Sequence, residues 1–204
     1  MTSPRLDTQE PETAPRTLTI ESLRARLARV LDLVAREGAF RYRLIGTAAA
    51  LLRGVPLVPG DVDFLAGARG DVDTFARALG AYRCLTPPTW MPSAWQYYAA
   101  FEVDGLKIEA STVERPSDSP FLETLGRGPW EHFSTIAAGD TRVAVVALEL
   151  RLATELRRGR KEHADLLIHW MRDQGCDPRL LENALHAQGI DEHTRSSVLS
   201  AVIG

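Results

Sequence analysis

The chain has 204 residues, 45% of them hydrophobic, and a formal net charge of −3. That length and composition suit a soluble globular protein with one domain and an appendage, or two small domains, and the charge offers no global basic field for nucleic acid. No apolar stretch approaches the roughly 18 residues of a membrane span, and the first residues show no apolar signal-peptide region. The two cysteines, Cys84 and Cys176, lie far apart and form neither a metal-ligand spacing nor a disulfide framework. The expectation is a reducing cytoplasm, with no membrane partner.

Residues 1–17 carry three prolines and little that can be buried, and read as a flexible tail. Thr19 reads as a helix N-cap. Leu23, Leu27, Val30, Leu31 and Val34 follow at helical spacing, and Gly38 closes the element. Tyr42–Ile45 reads as a central strand, Thr47–Arg53 as a short alanine-rich helix, and Val55–Pro59 as a loop. Asp61–Ala66 is the second strand. Residues two apart on a strand share a face, so Asp61 and Asp63 aim at one spot while Val62 and Phe64 face the core.

The string Gly-Asp-Val-Asp recurs at Gly70–Asp73, followed there by the helical pattern TFARALG. The second copy reads as structural, with Asp71 as an N-cap and Asp73 favouring the positive end of the helix dipole. Ala81–Leu85 reads as a strand and TPPTWMPSAW as a loop. Gln96–Val103 and Leu106–Ala110 flank Asp104-Gly105, a hairpin signal. Thr135–Ala138 and Arg142–Val146 flank Gly139-Asp140 as a second hairpin. From Ala147 onward the pattern is helical, with breaks at Gly159, Gly175–Pro178 and Gly189–Asp191, which predicts a bundle of four helices.

Two convergent carboxylates beside the Gly46-Thr47 turn suit a Mg²⁺-nucleotide site. Carboxylates are hard oxygen ligands, and a glycine turn lets backbone N–H groups approach phosphates. On Leu106–Ala110, Lys107 and Glu109 share one face, so Glu109 can complete a three-carboxylate cluster able to hold two Mg²⁺ ions for phosphoryl chemistry. Trp90, Trp95, Tyr97 and Tyr98 could stack on a base or an acceptor ring, although packing is the commoner use of such residues. His163 and His169 lie six apart, a poor ligand spacing on one helix.

These residues resemble the minimal nucleotidyltransferases of the DNA polymerase β superfamily. The pattern is an apolar residue, Gly and a small residue, a spacer, then Asp, an apolar residue and an acid, with a third carboxylate on a later strand. Ile45-Gly46-Thr47, Asp61-Val62-Asp63 and Glu109 occupy those places. The segments YYAAFEVDGLKIEAS, GPWEHF and ALELRLATELRRGRKEHADLL extend the resemblance to small bacterial proteins with such a domain, including antibiotic- and toxin-type enzymes. It covers roughly residues 40–170.

The resemblance implies an α/β (α+β) nucleotidyltransferase fold over residues 18–146, a mixed sheet flanked by helices, with a helical C-terminal segment over 147–204. It implies transfer of an NMP from an NTP to an acceptor hydroxyl, with pyrophosphate released. Asp61, Asp63 and Glu109 would be the catalytic, metal-binding set. Gly46, Thr47, Lys107, Arg157 and Lys161 would bind the nucleotide. The implied cofactor is Mg²⁺, as two ions, with an NTP as substrate. The acceptor is open among a small molecule such as an antibiotic, a tRNA and a protein. Thr47 departs from the usual Gly or Ser, and Arg157 from a phosphate-contacting Lys. The alternative is a non-catalytic nucleotide-binding or toxin–antitoxin interaction module retaining the fold, with an antitoxin or a second copy of the chain as partner.

Overall fold

The structure is a computed structural model that describes residues 18–115 and 122–204; the tail expected over 1–17 lies outside them. Helix α1 (Ile20–Glu37) begins where Thr19 and Ser22 form a reciprocal capping box, and ends at Gly38. Strand β1 (Tyr42–Ile45) runs into the short helix α2 (Gly46–Leu52). Strand β2 (Asp61–Ala66) follows, then helix α3 (Arg69–Ala78). Strands β3 (Arg83–Met91), β4 (Gln96–Val103) and β5 (Leu106–Ser111) form an antiparallel meander. A 3₁₀ turn (Leu122–Thr124) and the single turn α4 (Gly128–Glu131) lead to the hairpin of β6 (Phe133–Ala138) and β7 (Thr141–Val146). Helices α5 (Leu148–Arg157), α6 (Lys161–Gln174), α7 (Pro178–Ala187) and α8 (Glu192–Ile203) complete the chain.

The strands form one sheet in the order β3-β4-β5-β2-β1-β7-β6. β2 pairs with β5, and β1 with β7, in parallel; the other pairs are antiparallel. Val62 and Phe64 are buried on the face covered by α1 and α3. Phe64 meets Phe75 of α3 with ring centroids 6.1 Å apart. The alternation of β2 therefore leaves Asp61 and Asp63 on the opposite face. Asp104 (φ 52°) and Gly105 (φ 74°) both take the left-handed conformation that a tight two-residue hairpin demands.

Two expectations are corrected. The TPPTWMPSAW stretch is not a loop throughout, because β3 continues to Met91 through Pro87 and Pro88. β3 is the sheet's terminal strand, and its ladder with β4 is irregular between Cys84 and Thr89. An edge strand has one side free of pairing, so proline's missing N–H breaks no central ladder. Asp71 is not an N-cap. The cap position of α3 is Ala68, and Asp71 sits in the first helical turn. Its carboxylate accepts the backbone N–H of Arg41 at 3.0 Å, while Asp73 accepts the Tyr97 hydroxyl at 2.8 Å. The second Gly-Asp-Val-Asp copy thus ties α3 to the sheet.

Candidate active site

The site starts at the β1–α2 junction. Gly46 has φ +74°, and a Cβ built there would lie 2.3 Å from Asp63 Oδ2. Only glycine lets the backbone turn against the carboxylate in this way. On β2, Asp61 and Asp63 share a face, and the parallel register with β5 sets Lys107 opposite Asp61 and Glu109 opposite Asp63. One oxygen from each of Asp61, Asp63 and Glu109 lies within 4.8 Å of the others. Lys107 Nζ is 3.6 Å from Asp61 Oδ2 and forms an ion pair with Glu109. Tyr98, on the adjoining β4, donates its hydroxyl to Glu109 Oε2 at 2.8 Å.

Crowding of like charge sets the protonation behaviour. Burial, then the Asp61 and Glu109 carboxylates, raise the Asp63 pKa well above the ordinary aspartate range. Burial and the hydrogen bond to Glu109 push the Tyr98 phenol up to about 12, so it remains a donor at neutral pH. Burial lowers the Lys107 pKa, but Glu109 and Asp61 outweigh it and hold the ammonium above its usual range.

Behind the carboxylates lies a second, buried network. Glu123 Oε2 accepts the Gly46 N–H at 2.8 Å, and Glu123 Oε1 accepts Arg151 Nη1 at 2.6 Å. Arg151 also pairs with Glu155 one turn along α5, and its Nη2 lies 3.5 Å from Thr47 Oγ1. Glu123, Arg151 and Glu155 are all buried. Burial lowers the pKa of Arg151, but the two glutamates more than offset it. A cleft of about 280 Å³ joins the two networks, lined by the three carboxylates, Thr47, Glu123 and Arg151, with Arg158 and Arg160 at its wall.

The structure brings Gly46, Thr47, Asp61, Asp63 and Glu109 to this cleft, with Lys107 paired to two of the carboxylates. Arg157 is not brought to it: its Nη1 donates to the Gln188 carbonyl at 2.9 Å, towards α7. Lys161 is exposed and pairs with Asp165 at 2.8 Å. Of the aromatics, Trp90 and Trp95 pack edge to face, 5.9 Å apart. His163 lies 3.3 Å from Glu155. Sequence reasoning missed Glu123, Arg151 and Glu155. The last two left a trace, since Arg151 and Glu155 share a helical stripe with the buried Leu148 and Leu152. Glu123 left none, because its partners are 77 and 28 residues away.

Three carboxylates and no soft ligand make a donor set that fits a hard divalent cation, and mutual repulsion among the carboxylates favours one. No protein-family model and no curated protein matches the chain. Among solved structures, it is similar to a Thermotoga maritima protein described as a "putative nucleotidyltransferase", at 16% identity and TM-score 0.51, over 78% of this chain and 98% of that one. A Paracoccidioides brasiliensis protein described as an antigenic nucleotidyltransferase-like protein matches at 14% identity and TM-score 0.49, over 92% and 95%. At such identity the likeness concerns the fold: a mixed sheet flanked by helices, arranged as in nucleotidyltransferase-like structures.

Proposed function

We propose that the chain transfers a nucleoside monophosphate from an NTP to an acceptor hydroxyl, releasing pyrophosphate. The observation that carries this reading is the convergence of Asp61, Asp63 and Glu109 beside the Gly46 turn, with Arg151 behind it. In the reaction an acceptor-oxygen–phosphorus bond forms at the α-phosphorus, and the bond to the pyrophosphate oxygen breaks. Asp61, Asp63 and Glu109 would hold Mg²⁺, which when bound lowers the acceptor's pKa and neutralises charge on the leaving group. Glu109 receives the acceptor's proton. The Gly46-Thr47 turn takes the triphosphate, with Arg158 and Arg160 as the cations of the cleft wall, while Arg151, neutralised by Glu123 and Glu155, holds the turn in place through Glu123. Residues 18–146 carry the carboxylates, and the 147–204 segment contributes Arg151.

The test is incubation with each α-labelled NTP, Mg²⁺ and a panel of small-molecule, RNA and protein acceptors. Label should transfer from one NTP and vanish with Asp63→Asn. Glu109→Gln should keep much of the NTP affinity in isothermal titration and lose nearly all turnover. A wild-type protein that binds no NTP overturns the reading. One that binds NTP yet labels no acceptor favours the non-catalytic module.

A further inference from the structure

The geometry points to Lys107 as a built-in cation of the carboxylate cluster: in the nucleotide-free protein the cluster takes one divalent ion, and the Lys107 ammonium fills the place of a second. This rests on the nucleotidyltransferase reading of the same site. The parallel register fixes the placement, since Lys107 is opposite Asp61 and two residues before Glu109 on the same strand face. Its Nζ bridges the two carboxylates, 3.6 Å from Asp61 and paired to Glu109. On the other side, β4 sets Glu102 opposite Lys107, but the Glu102 carboxylate is taken by Arg83 at 3.0 Å. Lys107 therefore commits its charge to the cluster.

The residue type matters. Lys107 and Lys161 are the only lysines, and every other basic chain in the protein save histidine is arginine. An ammonium is a compact, strongly hydrated point charge, closer to a hard metal ion than a planar guanidinium is. One divalent ion and one ammonium together balance three carboxylates. A second divalent ion beside that ammonium leaves two positive charges in excess until an anionic triphosphate arrives, and at close range that repulsion is large. Lys107 thereby couples arrival of the second ion to arrival of the nucleotide.

The experiment titrates Mn²⁺, without nucleotide, into wild type, Lys107→Met and Lys107→Gln, reading free Mn²⁺ by electron paramagnetic resonance. Wild type should bind one ion at the cluster. Both variants should bind Mn²⁺ about tenfold tighter or more, or gain a second ion, as removal of one adjacent charge shifts a site by at least a pK unit. Lys107 is part-exposed, so both variants should keep the wild-type fold, and circular dichroism checks it. Unchanged or weaker binding in the folded variants, two ions in nucleotide-free wild type, or no Mn²⁺ binding in any of the three overturns the inference. Label transfer is scored separately. Transfer by wild type with unchanged Mn²⁺ affinity in the variants sinks the Lys107 role alone, and tighter variant binding without any transfer sinks the reaction alone.

Discussion

Gly46→Ala tests how tightly the glycine turn and the carboxylate site are built into each other. Two costs can be separated. Gly46 has φ +74°, and a side chain in the left-handed region costs roughly 1–2 kcal/mol. The added Cβ would also meet Asp63 Oδ2 at 2.3 Å, well inside contact distance. Overpacking of that kind costs about 1–3 kcal/mol. The sum is roughly 2–5 kcal/mol of stability. Gly105 supplies the internal control, because it has the same φ of +74° and nothing within 4 Å of its added Cβ. Gly105→Ala should therefore show the backbone cost alone, and the stiffening of the unfolded chain by alanine, about 0.4–1 kcal/mol, cancels between the two variants. Urea unfolding followed by circular dichroism gives both numbers by linear extrapolation. Mn²⁺ titration should show weakened binding in Gly46→Ala only, since Asp63 must move. If the two variants agree within about 0.5 kcal/mol, the ordinary limit of additivity, and bind Mn²⁺ alike, the close approach of Gly46 to Asp63 is not what glycine is there for.

Arg151→Met should cost about 3–5 kcal/mol in the same unfolding assay, because it strands two buried carboxylates; adding Glu123→Gln and Glu155→Gln should recover most of the loss, and a neutral Arg151→Met would mean that the network is dispensable. Asp63 gives a pH signature. Its folded-state pKa is raised, so from the ordinary value of 3.8 upward the folded chain keeps a proton that the unfolded chain has released, and stability falls as pH rises until the raised pKa is passed. Asp63→Asn should remove that fall, making the metal-free variant more stable than wild type at neutral pH, while Mn²⁺ should stabilise wild type far more than the variant; identical pH profiles would refute the raised pKa. Asp71→Ala should cost about 1 kcal/mol through the lost acceptor for Arg41 N–H and leave Mn²⁺ affinity unchanged; loss of Mn²⁺ binding in the folded variant would mean that the second Asp-Val-Asp copy is the metal site.

Local physics made most of this protein legible from its residues. Period-two alternation placed Asp61 and Asp63 on one face of β2, because a pleated strand permits nothing else. Asp104-Gly105 announced its hairpin through the left-handed conformation that only a few residues tolerate, and the glycine breaks marked the ends of α5, α6 and α7. What no local rule could supply was anything set by pairing across the chain. The strand order brings β5 beside β2, and only that register turns Glu109 into a partner of Asp63 and Lys107 into a partner of Asp61. The second half of β3, from Thr86 to Met91, reads as a loop until its edge position excuses Pro87 and Pro88 from the ladder. Asp71 looked like a cap because its residue type suits one, yet α3 begins two residues earlier, at Arg69, and from its first turn Asp71 accepts the Arg41 N–H just ahead of β1. The resemblance put a phosphate-contacting cation at Arg157, and only the packing of α5 against α2 and the Leu122–Thr124 turn decides that Arg151 is the α5 guanidinium at the cleft while Arg157 reaches Gln188. Spacing along a chain dictates faces and turns; which faces meet is decided by long-range burial, which a single sequence does not display.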